Sequence, residues 1–209
     1  MHDPFPLRAS PWLSKAVQPF ADYFSLTTLP LHIHEVLGSF LAYTFINIVV
    51  APKISTWLFP IRYPKLSAER KVNWDVHVVS LVQSTTINFL ALWVMFTDEE
   101  RKNMTWEERV WGYTGAAGMI QGMATGYFLW DLMVTLQHVK VFGLGMLAHA
   151  LSALLVFSFG FVSMLSMCQE LKLIILSRDH SLTSTAAPLF STSSPLHSSI
   201  STGSSINST

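Results

Sequence analysis

The sequence predicts an all-α fold, a polytopic transmembrane helix bundle of about four spans. Its 209 residues are 50% hydrophobic and only 12% charged, against roughly 25% charged in an ordinary soluble domain. Four apolar stretches are each long enough to cross about 30 Å of hydrocarbon at ~1.5 Å per residue. The formal net charge is zero, which leaves no field to steer a polyanion, so no nucleic acid is expected as a partner.

Residues 1–31 read as an N-terminal interfacial segment. The start Met-His-Asp-Pro-Phe-Pro has neither a basic region nor a small-residue cleavage site, so no removable signal peptide is expected. Ser10-Pro11-Trp12 is a helix start, with Ser as N-cap and Pro at the first helical position. Trp12, Phe20, Tyr23 and Phe24 suit head-group level, while Pro19 and Pro30 argue against one long amphipathic helix.

Residues 32–176 form the transmembrane domain. The first stretch covers 33–51 and ends at Pro52-Lys53; its leading turn, His32-Ile33-His34-Glu35, is polar enough to lie among the head groups. The second covers 76–96 and stops at Asp98-Glu99-Glu100-Arg101-Lys102. The third covers 112–136, and the fourth runs from 144 into the 160s. Arg8 and Lys15 precede the first span, whereas Lys53, Arg62, Lys65, Arg70 and Lys71 follow it. That asymmetry places the first long loop in the cytosol and the N-terminus on the luminal side. Residues 177–209 are so rich in Ser and Thr that burial cannot offset the ordering entropy, and this tail is expected to be disordered.

Polar residues inside apolar spans are costly and need partners or a function. In the third stretch Gly118, Gly122 and Gly126, extended by Gly115, form a small-residue ridge for close helix approach. The same ridge is a candidate contact for a homo- or hetero-oligomer. Tyr127, Asp131, Thr135 and His138 fall on roughly the opposite face. With the fourth helix antiparallel, Asp131 and His149 each sit roughly 7–10 Å below the connecting loop. They are expected to face each other, either neutralising one another or holding the helices in register. In the second stretch His77, Ser80, Ser84 and Asn88 share a face flanked by Gln83 and Thr85, available for interhelical hydrogen bonds or a lipid head group.

Several chemistries lack their residues. Intramembrane histidines with the three- or four-residue spacing of metal-binding helices are missing, and His32 and His34, two apart, point in different directions on a helix. No metal and no cofactor are expected on that spacing. Cys168, the single cysteine, has no activating neighbour pattern and reads as an inert thiol.

Asn73-Trp74-Asp75-Val76-His77-Val78-Val79-Ser80-Leu81-Val82-Gln83-Ser84, Gly126-Tyr127-Phe128-Leu129-Trp130-Asp131 and Leu147-Ala148-His149-Ala150-Leu151 resemble successive motifs of the TLC domain. That domain is shared by the translocating-chain-associating membrane protein, the longevity-assurance ceramide synthases and the ceroid-lipofuscinosis membrane protein. The resemblance is strongest to small fungal members and covers residues 19–161. It implies a multi-pass protein of the endoplasmic reticulum that binds or senses a membrane lipid within the bundle, in lipid homeostasis and sphingolipid metabolism. An alternative is acyl-CoA-dependent N-acylation of ceramide-synthase type, with His149 as general base and Asp131 orienting it. Only one histidine of the synthase pair is matched, since Ala148 and Ala150 flank His149. A further alternative is a cargo receptor or translocation helper. The resemblance also implies spans beyond the His149 helix. The passage from Phe161-Val162-Ser163 into the Ser/Thr tail is therefore expected to mark a C-terminally truncated or mispredicted product.

Overall fold

The computed structural model describes residues 3–6 and 9–162; the expected tail and Cys168 lie outside them. Helices make up the ordered architecture, and no strand occurs among the described residues. Helix α1, Pro11–Tyr23, starts at Ser10 in extended backbone with Pro11 at its first position. It tolerates Pro19 inside and ends when Ser25 turns left-handed at φ 57°. The Leu26 amide then donates to the Ala21 carbonyl at 2.8 Å, a Schellman closure that carries Leu26 into the core. Trp12, Phe20, Tyr23 and Phe24 remain exposed.

The first apolar stretch is longer than expected. Helix α2, Leu29–Phe45, continues through a π-turn, Ile46–Val50, into α3, Ala51–Leu58. Together they form a 30-residue helix, ~45 Å long. Pro52 was expected to end it. Instead the π-turn precedes the proline and widens the backbone where Pro lacks an N–H and would clash with a carbonyl a turn earlier. The leading turn is a second correction: His32, His34 and Glu35 are 2%, 7% and 0% exposed, inside the protein rather than among head groups.

A short 3-10 turn, Tyr63–Lys65, leads to α4, Ala68–Thr97, whose charged first turns extend beyond the apolar stretch. The short helices α5, Glu99–Asn103, and α6, Trp106–Trp111, form the next connection. A reciprocal capping box fixes the start of α6: the Glu108 amide donates to Thr105 Oγ1 and the Thr105 amide to Glu108 Oε2, at 3.3 and 2.9 Å. Helix α7, Gly115–Gln137, is capped by Thr114 Oγ1, and α8, Val139–Phe159, follows at once. Gly143 interrupts α8 at φ 79°, so regular helix resumes at the expected start of the fourth stretch.

Among the described residues three helices are long and apolar enough to cross a membrane: Leu29–Leu58, α4 and α8. At 23 residues α7 matches them in length but is more polar, because its neighbours in the bundle are protein. It packs most extensively on α2 and α8 and buries Trp130, Asp131, Val134 and Thr135. The glycine ridge lies against α2 in the same chain. A Cβ at position 118 would strike the His32 ring and Tyr113, one at 122 the Glu35 carboxylate, and one at 126 the Val36 carbonyl and Ser39. The helices run parallel there, since contacts advance together from His32 to Ser39 and from Gly118 to Gly126. The face considered for an oligomer is thus filled by α2.

Replacing Gly122 by Val is expected to lower stability by about 1–3 kcal/mol, as overpacking does. Gly145→Ala, where an added Cβ meets nothing within 4 Å, is expected to leave it unchanged or raised. Apparent melting temperature in detergent distinguishes the two variants.

Candidate functional site

At the α2 start, helical spacing places His32 and Glu35 on one face. His32 Nδ1 lies 2.8 Å from Glu35 Oε2, and its Nε2 lies 2.5 Å from the Tyr113 hydroxyl. Tyr113 stands before α7. His32 thus bridges Glu35 and Tyr113 through its two ring nitrogens. The ring of Phe161 stacks on His32 with centroids 6.5 Å apart, and Thr28 donates from Oγ1 to the Phe161 carbonyl at 3.0 Å. Gly118 and Gly122 provide the room above this array. Glu35 Oε1 has no hydrogen bond; near it stand His34, Nε2 at 3.9 Å, and Asp3 of the N-terminal segment. Local spacing could have suggested His32 with Glu35. The approach of Asp3 from a separate segment has no local signature.

A second polar layer lies deeper. Tyr43 donates its hydroxyl to Gln83 Oε1, and Ser80 Oγ is 2.9 Å from the Tyr127 hydroxyl. Tyr43 and Tyr127 meet edge to face at 5.4 Å, over a fully buried Trp130. Of the residues proposed from sequence for this polar core, Ser80, Gln83, Tyr127, Asp131 and Thr135 face into the bundle. His77, Ser84 and Asn88 are exposed, and each satisfies itself on a carbonyl of α4: Asn73, Leu81 and Ser84. The helix's buried edge falls instead on Val76, Val79 and Gln83.

The expected Asp131–His149 pair does not close. Asp131 is 8% exposed, His149 is exposed, and no hydrogen bond or ion pair joins them, although they lie within electrostatic range. Among the described residues only Ala150 of α8 is buried, because that helix meets the bundle on one narrow side.

The third cluster surrounds the start of α4. The Tyr63 hydroxyl lies 2.9 Å from both carboxylate oxygens of Asp75. Trp74 donates from Nε1 to Ser55 Oγ at 3.0 Å and meets Phe59 edge-on at 5.4 Å. Beside this clamp opens a cavity of about 540 Å³. Arg70, Asn73 and His77 line its polar end, and Val78 and Leu81 its apolar end.

Comparison with known proteins decides the family. The TLC domain matches residues 73–179, just over half of the chain. The chain belongs to the TLC-domain family. It is 41% identical over 149 residues, 71% of its length, to an uncharacterized TLC domain-containing protein of Schizosaccharomyces pombe, covering 49% of that relative. Identity is 28% over 126 residues to topoisomerase I damage affected protein 4 of Saccharomyces cerevisiae, covering 60% of this chain and 43% of the relative. It is 26% over 119 residues to human TLC domain-containing protein 4, covering 57% and 40%. The chain spans about half the length of the curated relatives it matches, or less. No solved structure matches it. Within this TLC-domain protein, Asp75, His77, Asp131 and His149 all lie in the matched region, whereas His32, His34 and Glu35 precede it.

Burial and the bonds to Asp75 push the Tyr63 phenol up to about 12. Because the folded value is raised, its contribution to stability is complete below the unfolded value of ~10 and is lost as pH climbs through about 12. Tyr63→Phe is expected to cost about 1–3 kcal/mol at pH 7, since Asp75 loses its donor. The gap from wild type is expected to shrink as pH rises above ~10. Melting of both proteins across that range, with phenolate absorbance, measures it.

Proposed function

We propose that this TLC-domain protein acts in lipid homeostasis as a multi-pass protein of the endoplasmic reticulum, N-terminus luminal, by binding a membrane phospholipid through its phosphate. The observation that carries this reading is the cavity at the start of α4. It combines Arg70 and Asn73 with His77, whose Nδ1–H donates to the Asn73 carbonyl at 2.7 Å and fixes the ring against the wall. Val78 and Leu81 continue the same wall at the spacing of one helix face. A guanidinium suits a phosphate, and the apolar end suits the first carbons of an acyl chain. The Trp74 clamp supplies an interfacial aromatic that fixes the depth of the wall. The polar layer of Tyr43, Gln83, Ser80 and Tyr127 is engaged in its own hydrogen bonds, so it supports the bundle and leaves the outer cavity as the lipid contact. The endoplasmic reticulum is supported by the family resemblance, and the orientation by the basic loop after the first span.

A photoactivatable phosphatidic acid in nanodiscs is expected to label peptides spanning 66–81, and Arg70→Ala with His77→Ala to reduce that labelling severalfold. Equal labelling of wild type and variant would remove the site. Acyl-CoA-dependent N-acylation by the purified protein is expected to be absent; turnover would favour the acyltransferase alternative.

A further inference from the structure

We propose that Asp3, His34 and Glu35 form a binding site for a first-row divalent transition-metal ion, best suited to Zn²⁺. One ligand atom from each side chain lies within 4.8 Å of the others. Glu35 is 0% exposed; its Oε2 is taken by His32, and its Oε1, aimed at Asp3 and His34, has no hydrogen-bond partner. His34 is 7% exposed, and its Nδ1 is buried without a partner. Two carboxylates and an imidazole therefore converge with acceptors unspent, and among the described residues no Lys or Arg forms an ion pair with either carboxylate. Ionised carboxylates are acceptors only, so the approach of Asp3 to a fully buried Glu35 is relieved either by a shared proton or by a cation between them.

The donor set selects the ion. Imidazole is a poor ligand for Ca²⁺ or Mg²⁺, and without a thiolate the site does not suit Cu⁺; one nitrogen and two oxygens fit Zn²⁺. Zinc bonds of about 2.0–2.1 Å place tetrahedral ligands roughly 3.3 Å apart. His34 and Glu35 already stand 3.9 Å apart. The remaining closure falls to Asp3, which is exposed. Its segment is held nearby: the Phe5 amide donates to Asp3 Oδ1 at 2.9 Å, and the Phe5 ring meets His34 edge-on at 5.5 Å. An outer layer is present as well. His32 pairs through Nδ1 with Glu35 and through Nε2 with the Tyr113 hydroxyl, the kind of support that orients a ligating carboxylate. Three protein ligands leave a fourth position for water or another donor.

This proposal does not depend on the lipid cavity. Its test uses the full chain, purified in detergent and stripped with a chelator. Co²⁺ is titrated while visible absorption is recorded, and Zn²⁺ is then added in competition. Wild type is expected to develop a tetrahedral Co²⁺ spectrum that stoichiometric Zn²⁺ abolishes. Asp3→Asn and His34→Ala are each expected to weaken Zn²⁺ binding about tenfold or more, and His149→Ala to bind as wild type does. Asp3 is exposed, so Asp3→Asn remains informative even if His34→Ala misfolds. A helical, monodisperse wild type without the Co²⁺ spectrum would overturn the proposal, with a shared proton then bridging the carboxylates. Asp3→Asn binding as tightly as wild type would overturn it equally.

Discussion

Where α2 meets α7, a carboxylate with no exposure, Glu35, lies beneath a helix that has no side chain at position 122. Glycines at 118, 122 and 126 let the α7 backbone descend onto His32, Glu35 and Ser39. Association between helices in lipid lacks a hydrophobic drive and rests on packing and interhelical hydrogen bonds. Both are present here: the backbones are close, and His32 links Glu35 of one helix to Tyr113 at the entry to the other. Enlarging a glycine would therefore disturb packing and the buried polar array together.

Much else follows from α7 being interior. Its polar residues need not face lipid, which is why it falls outside the three helices apolar enough to span while matching them in length. Towards its far end the seam passes into the Tyr43–Gln83 and Tyr127–Ser80 layer, which ties in α4. The opposite side of α4 carries Arg70, Asn73 and His77 along the outer cavity. The α1 segment and Phe161 close over the α2 start, adding Ala21, Leu26 and Leu29 to one apolar cluster.

The elements were legible where composition or spacing acts locally. Apolar length located the spans, Ser10-Pro11 located the start of α1, and the four-residue glycine repeat marked a helix seam. The partner in that seam was not legible, because a glycine ridge is equally compatible with a second chain and with α2. His32 and Glu35 looked like a head-group turn because polarity at a span's edge has the same composition whether it is wet or enclosed. Pro52 misled because the π-turn that accommodates it leaves no mark in residue type. Asp131 and His149 come within electrostatic range, but a position along a helix does not specify rotation about its axis, and His149 is exposed on α8.

The central claim, that α2 of the same chain fills the glycine ridge of α7, is tested most directly by a cysteine pair. The natural chain has one cysteine, Cys168, removable as Cys168→Ser. Ser39→Cys and Gly126→Cys are then introduced together, where a Cβ at 126 would stand 2.9 Å from that of residue 39. The same Cβ would clash with the Val36 carbonyl oxygen, and relieving that clash lifts α7 from α2 and carries the pair to the roughly 3.5–4.5 Å of a disulfide. Mild oxidation in native membranes is expected to abolish maleimide labelling while the protein remains a monomer on non-reducing gels. A disulfide-linked dimer with no intramolecular bond would show that the ridge pairs two chains, contradicting the account.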